Sequence, residues 1–410
     1  MDIQRTTTID IYEEDGTTLI KSITKGITSG SLICEEILFE STLRFGQCCA
    51  NRFEAEVNEL DSSVAGKIIK VTQVQDDITI PIFKGRIDTS KKDNYSITRH
   101  IVAYDALYYK RDMDIAEWWT NFWKTHSRAT IKQLRDSLCE YVEIEYIDIE
   151  LMNDDLQVSA PFTVTSMTFG EMLKMLCEIS CVFPHIDREG ILDYISINMV
   201  LEPIDITGKY ETGGAYFEEF TTAEITGIAV CDTPDNLLQA NGEKGNRYYI
   251  AGNLFLMELD ATTLNTVIDN MYDKIKDIAY CPCEIPLIVS DHNIKLGSIV
   301  TTPQGNILVN RLYFSGPMLL DETIASDAFG EYLEQTAPDV NGTIVQGRKI
   351  SKLERTVDEL SSTFIKVEVG GRNLILGSKD FSGSMFFAMA IITDESGNVL
   401  TDEDGYILVI

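Results

Sequence analysis

Ile78-Thr79-Ile80-Pro81-Ile82 runs into Phe83-Lys84-Gly85-Arg86-Ile87, and after the polar turn Lys91-Lys92-Asp93-Asn94 a second β-rich run extends from Tyr95 to Tyr104. Short apolar, β-branched runs closed by turn residues are the signature of antiparallel strands. The same pattern continues upstream in Thr6 to Tyr12, closed by Glu13-Glu14-Asp15-Gly16, in Phe53 to Val57 and in Ile68 to Val74. The segment 1–111 is therefore expected to be a meander folded into a first barrel-like β domain.

From Asp112 the apolar period becomes helical, with Trp118, Trp119, Phe122 and Trp123 on one face, followed by Ile131, Leu134, Leu138 and Val142. Thr168 is placed to cap a helix carrying Met172, Leu173, Leu176 and Ile179, and Asp187-Arg188-Glu189-Gly190 turns the chain into a strand from Ile191 to Ile197. Residues 112–200 thus predict an α/β insertion. Strand-like runs return at Ile225 to Cys231, Arg247 to Ala251, Ile285 to Val289, Ile299 to Thr302 and Ile307 to Phe314, broken by a helix around Leu264 to Ala279. That predicts a second β domain over 201–334. The fold class expected is α+β, mainly β.

Residues 335–347, with Pro338, Asn341, Gly342 and Gly347, read as a linker. Over 348–369, Ile350, Leu353, Val357, Leu360, Phe364 and Val367 recur at spacings of three and four, an a/d seam that needs partner helices. β-Branched residues at a with leucine at d favour a dimer in parallel coils. The segment 370–410 ends in two near copies of an eight-residue unit, Asp394 to Thr401 and Asp402 to Val409, each an acidic glycine turn followed by an apolar strand. Two such units cannot bury a core alone, so they are expected to pair across chains or to continue into further sequence.

The balance of 34 basic against 65 acidic residues, a formal charge of −31, opposes tight contact with phosphates or anionic lipid. An acidic wall is compatible with DNA that slides past without sticking. There is no run of about 20 apolar residues and no signal-peptide hydrophobic region, so no membrane span is expected and synthesis in the cytosol is. Nine cysteines in so long a chain form no disulfide framework and are expected buried and reduced.

No constellation of reactive residues matches a known chemistry, so no catalytic residue, metal or cofactor is expected. Cys177, Cys181 and His185 are spaced by four, and Cys281-Pro282-Cys283 is a tight pair, but neither is a CxxC site. The histidines, His100, His126, His185 and His292, lie in no HExxH, and no serine lies in GxSxG. Glu13-Glu14 and Glu218-Glu219 fit solvated acidic faces better than a glycosidase pair, and Asp402 to Asp404 lack the full calcium loop. The four aromatic residues Trp118, Trp119, Phe122 and Trp123 suit a helix anchored in its own core, with subunit or glycan contact as the functional alternatives.

Several stretches, taken in order, resemble the tail-tip or baseplate hub proteins of long-tailed bacteriophages, called tail-associated lysins when they carry a peptidase. The carriers are Gly66 to Val71, Phe83 to Ile87, Ala103-Tyr104-Asp105-Ala106-Leu107, Leu176 to Phe183, Asp187 to Leu192 and Asn246-Arg247-Tyr248-Tyr249-Ile250-Ala251-Gly252-Asn253. After the coil, Gly370-Gly371-Arg372-Asn373-Leu374-Ile375-Leu376-Gly377-Ser378 is similar to the sequence that opens many phage fibre modules. The resemblance implies two related tail-tube-type β-barrels with an α/β insertion, and three subunits in a ring. It implies docking on the tail tube and the distal tail protein ring, with tape-measure and fibre or receptor-binding proteins as further partners. It also implies a virion location after assembly in the host bacterial cytoplasm, with DNA passing on ejection. A cell-wall hydrolase and a host-glycan adhesin are the competing readings.

Overall fold

The computed structural model describes residues 5–334, apart from 41, 59, 76, 93–96, 161–165, 234–235 and 329. By internal packing the chain divides into two units, Met1–Arg355 and Thr356–Ile410, and the described residues belong to the first. The coil positions Ile350, Leu353, Val357, Leu360, Phe364 and Val367, and the segment 370–410, lie outside the described residues.

Alternation in the sequence becomes one buried face. The first seven strands are β1 (Arg5–Tyr12), β2 (Leu19–Ile23), β3 (Ile33–Ile37), β4 (Arg52–Val57), β5 (Ile68–Gln75), β6 (Ile78–Lys92) and β7 (Arg99–Tyr104). Ile9 faces Ile23 on one side and Val71 on the other, and all three are buried. In β6 the glycine of Phe83 to Ile87 is obligatory, because a Cβ on Gly85 would sit 2.3 Å from the Tyr104 carbonyl oxygen of β7.

The meander does not close on itself. β3 pairs instead with the strand Arg311–Ser315, which continues through Asp321–Ser326 and Cys283–Leu287 to Tyr216–Phe217. On the other side of β3 the order is β4, β7, β6, β5, β1, β2, giving an eleven-stranded sheet in which every neighbour is antiparallel. The two β regions expected as barrel-like domains therefore share one sheet, which is open, and no barrel is closed among the described residues. Hydrophobic period reports which face of a strand is buried but not which strand lies beside it.

The insertion carries α1 (Ala106–Lys110), α2 (Ala116–Thr125), α3 (Ile131–Tyr141) and α4 (Phe169–Ile179). Thr130 with Gln133, and Thr168 with Glu171, form capping boxes that start α3 and α4, each worth about 1 kcal/mol. α4 buries Phe169, Met172, Leu173, Leu176 and Ile179. Each such side chain contributes about 1.5–3 kcal/mol by leaving water, so a charge at Leu173 would undo the packing. Arg135 of α3 is fully buried, held by the Asp154 carboxylate and the Ile149 carbonyl (3.0 Å) and lying 4.8 Å from the Tyr194 ring centre. Further along, α5 (Leu254–Met257) and α6 (Ala261–Ile275) accompany a three-stranded sheet with Gly227–Thr233 in the middle. No helix among the described residues is long and apolar enough to cross a membrane.

Candidate functional site

The most concentrated polar chemistry in the interior lies where the β3 side of the sheet meets the turn at 187–190. Phe314 pairs with both Cys34 and Glu322, and Leu312 with both Glu36 and Ile324. Residues two apart share a face, so Glu36, Phe314 and Glu322 project together. The strands Phe183–Ile186 and Leu192–Ile195 deliver Arg188 onto them through a tight turn. There the Asp187 carboxylate accepts the Glu189 and Ile191 amides at 2.9 and 2.8 Å, and Gly190 adopts φ +85°. The left-handed backbone at Gly190 favours glycine, and a side chain there would strike that of Lys84 at 2.7 Å.

Arg188 donates to both oxygens of Glu36, at 2.6 and 3.3 Å, and its guanidinium lies 5.0 Å from the Phe314 ring centre. Glu36 is 4% exposed, so the pair is desolvated. His292 stacks on the other reach of Phe314, with ring centres 5.6 Å apart, and its Nε2 meets Gln73 Oε1 at 2.7 Å. The Gln73 amide donates to the Met318 carbonyl at 2.5 Å, which also accepts the Thr7 hydroxyl at 2.9 Å. Met318 has φ +56°, and these two bonds hold that strained peptide. Glu322 accepts the Asp291 amide at 2.6 Å, while Arg5 donates to the Ser290 carbonyl at 2.9 Å.

Burial sets the charges of this layer. It pulls the His292 imidazole down to about 4, helped by the Arg188 and Arg5 charges, and pulls His185 down as well. It pushes the Glu322 carboxyl up to about 8 against the pull of the Asp291 amide and Arg188. At neutral pH the layer is therefore one ion pair, Arg188 with Glu36, among mostly uncharged partners. A cavity of about 410 Å³ opens beside it, lined by His185, Arg188, His292, Lys295 and the walls Ile80 and Leu296. The layer ties β1, β3 and β5 to the 187–190 turn and to residues 290–322.

Asp105, from Ala103 to Leu107, does similar work at the entry to the insertion. It caps α1 through the Leu107 amide at 2.9 Å and also accepts the Asn51 amide at 2.6 Å, while the Asn51 side chain donates to the Ile186 carbonyl at 2.8 Å. Burial pushes its carboxyl up to about 7 in spite of those bonds.

Trp118, Trp119 and Phe122 are buried and Trp123 is half-buried, with Trp118 donating to the Ser137 hydroxyl at 3.1 Å and Trp119 lying 6.1 Å from the Phe255 ring. Seven of the nine cysteines are buried and two, Cys48 and Cys49, half-buried, all of them free. Burial pushes Cys48 up to about 12, Cys49 to about 11 and Cys177 above the ordinary thiol range, so these remain thiols at neutral pH. Among the described residues no group of three or more His, Cys, Asp or Glu is placed to hold a metal ion. Glu36, Gln73, His292 and Glu322 come from four segments with no local motif, and no sequence signal marks them.

The sheet, the insertion and the layer define a mainly β, α+β protein whose buried polar side chains join distant parts of the chain. No family model and no curated protein matches the sequence. Among solved structures, the 43 kDa tail protein of prophage MuSo2 from Shewanella oneidensis aligns with a TM-score of 0.49 at 11% identity, covering 78% of this chain and 97% of its own. A tail protein from Neisseria meningitidis MC58 aligns with a TM-score of 0.48 at 9% identity, covering 82% of this chain and 99% of its own.

Proposed function

We propose that this chain is a structural component of a phage tail: a hub that closes the distal end of the tail tube as a homotrimer. In this reading it links the tube to tip or fibre proteins and lets DNA pass on ejection. The supporting observation is where the residues that carry the hub resemblance fall. Gly85 lets β6 lie close against the end of β7, Asp105 joins β7 to α1 and to Asn51, and Arg188 clamps the insertion to β3. Asn246 holds the carbonyls of Ala223 and Glu224 at 2.7 and 3.3 Å. Each spends its chemistry on a joint of the body, as a load-transmitting part requires.

The excess of 65 acidic over 34 basic residues suits a wall past which DNA moves without adhering. The coil from Ile350 to Val367 supplies the trimer contact, and the divisions 1–111, 112–200 and 201–334 are the hub's two tube-type β parts and its insertion. Its location is the tip of the virion, after assembly in the bacterial cytoplasm, against the distal tail protein ring. Imaging of particles labelled with antibody to this chain tests the reading: label at the tip is expected, and label on the capsid or on no particle refutes it. Peptidoglycan release by the purified chain would replace it with a lysin. Saturable binding to wall polysaccharide, lost on Trp123→Ala with the fold intact, would replace it with an adhesin.

A further inference from the structure

The strand Asp321–Ser326 ends the sheet's last contribution, yet the chain beyond it remains gripped. Asn310 reads the next peptide on both sides, its Oδ1 accepting the Asp327 amide at 2.8 Å and its Nδ2 donating to the Asp327 carbonyl at 2.9 Å. The Tyr280 hydroxyl donates to that same carbonyl at 3.0 Å. Further on, the Glu331 carbonyl accepts the Ala223 amide at 2.8 Å, the Leu333 amide donates to Asn246 Oδ1 at 2.8 Å, and Glu334 pairs with Arg44. Asn246 is 3% exposed and itself fixed by its two bonds to residues 223 and 224, so it presents its oxygen in one place. Beneath the segment lie Leu43, Ile225, Ile278 and Tyr280, with about 40 Å³ left empty, so the fit is close.

We infer that this groove is a peptide-reading groove whose ligand is the chain's own segment 330–334, latched by Asn246 and Arg44. Its recognition is of the kind that holds extended peptides: main-chain groups are read by fixed donors and acceptors, and one apolar side chain, Leu333, packs against the core. The latch holds residues 330–334 against the body through the Leu333 amide and the Glu334 carboxylate. Release uncovers Leu43, Ile225, Ile278 and Tyr280.

Amide hydrogen exchange on the full chain tests this. The reporters are Leu333 on the segment and Ala223 on the body, with the amides of α4 as an internal standard. Losing the single bond from Asn246 in Asn246→Ala should speed exchange at Leu333 by roughly 2- to 13-fold while α4 is unchanged. Because Asn246 also holds residues 223 and 224, Leu333→Asp attacks from the segment side. It should speed exchange at Ala223 and open the exposed Tyr332 to chymotrypsin. An unprotected Leu333 amide in the unaltered chain, or Ala223 exchange unmoved by Leu333→Asp, would overturn the latch.

Discussion

Replacing Arg188 by methionine should be among the most damaging single changes in the body. The substitution keeps much of the side chain's volume over Phe314 and removes the charge, its two bonds to Glu36 and a longer one to the His292 carbonyl at 3.5 Å. The Glu36 side chain is 5% exposed and that of Arg188 13%, so water from the adjoining cavity replaces the lost bonds only in part. Orphaning one member of such a buried pair costs about 3–5 kcal/mol. Glu36→Leu combined with Arg188→Met removes the charge problem altogether and should recover about 2–3 kcal/mol over the sum of the single losses. Urea unfolding should be followed by two signals, since all three tryptophans lie in α2 and report on the insertion, whereas far-ultraviolet circular dichroism reports on the sheet. A loss under about 1 kcal/mol for Arg188→Met, or single losses that simply add in the double variant, would refute the reasoning.

Three further outcomes are expected. Glu322 holds its proton to about 8 in the folded chain against 4.5 ordinarily, so its contribution is full below pH 4.5 and is lost as pH rises through 8. His292, at about 4 against 6.5, contributes fully above pH 6.5 and loses that contribution as pH falls towards 4. Melting temperature against pH should lose its alkaline limb in Glu322→Gln and part of its acid limb in His292→Gln; unchanged profiles would count against both. Asp105→Ala removes the α1 cap and strands the Asn51 amide, costing about 2 kcal/mol in urea titrations, whereas Asp105→Asn should keep part of the cap. Leu353→Asp with Leu360→Asp should lower the association constant in sedimentation without melting the sheet; a monomer in the unaltered chain at every micromolar concentration would sink the trimer.

Much of the local structure was legible in the sequence. The strands Arg247–Ala251 and Ile299–Thr302 fall where β-branched and aromatic runs place them, and Thr168 starts α4 through the capping box its spacing to Glu171 allows. Other elements gave little signal. β3 reads Ile33-Cys34-Glu35-Glu36-Ile37, in which a buried glutamate stands where alternation calls for an apolar residue. The strand Asp321–Ser326 likewise buries Glu322. These acids are tolerable inside only because Arg188 and the Asp291 amide meet them from other segments, and single-strand periodicity carries no record of such partners. That the two β regions share one open sheet escapes a reading of the sequence for the same reason. The pairing of β3 with Arg311–Ser315 is a long-range fact that short-range pattern does not encode.

That pairing also dictates a timetable. Glu35 meets Arg311 across 276 positions, and Arg5 meets Ser290 across 285. A ribosome adding about 5–20 residues per second needs roughly 15–60 s to cover that distance. For that interval β3 has no neighbour on one side, Glu35 has no arginine, and β1 and β5 lack the carbonyl that Thr7 and Gln73 will grip. Long-range antiparallel closure of this kind is slow, and an unpaired strand is a template for another chain. The glutamates of β3 are then useful before they are paired: two charges on a strand of five residues discourage association with a neighbouring nascent chain until the matching strand has been made.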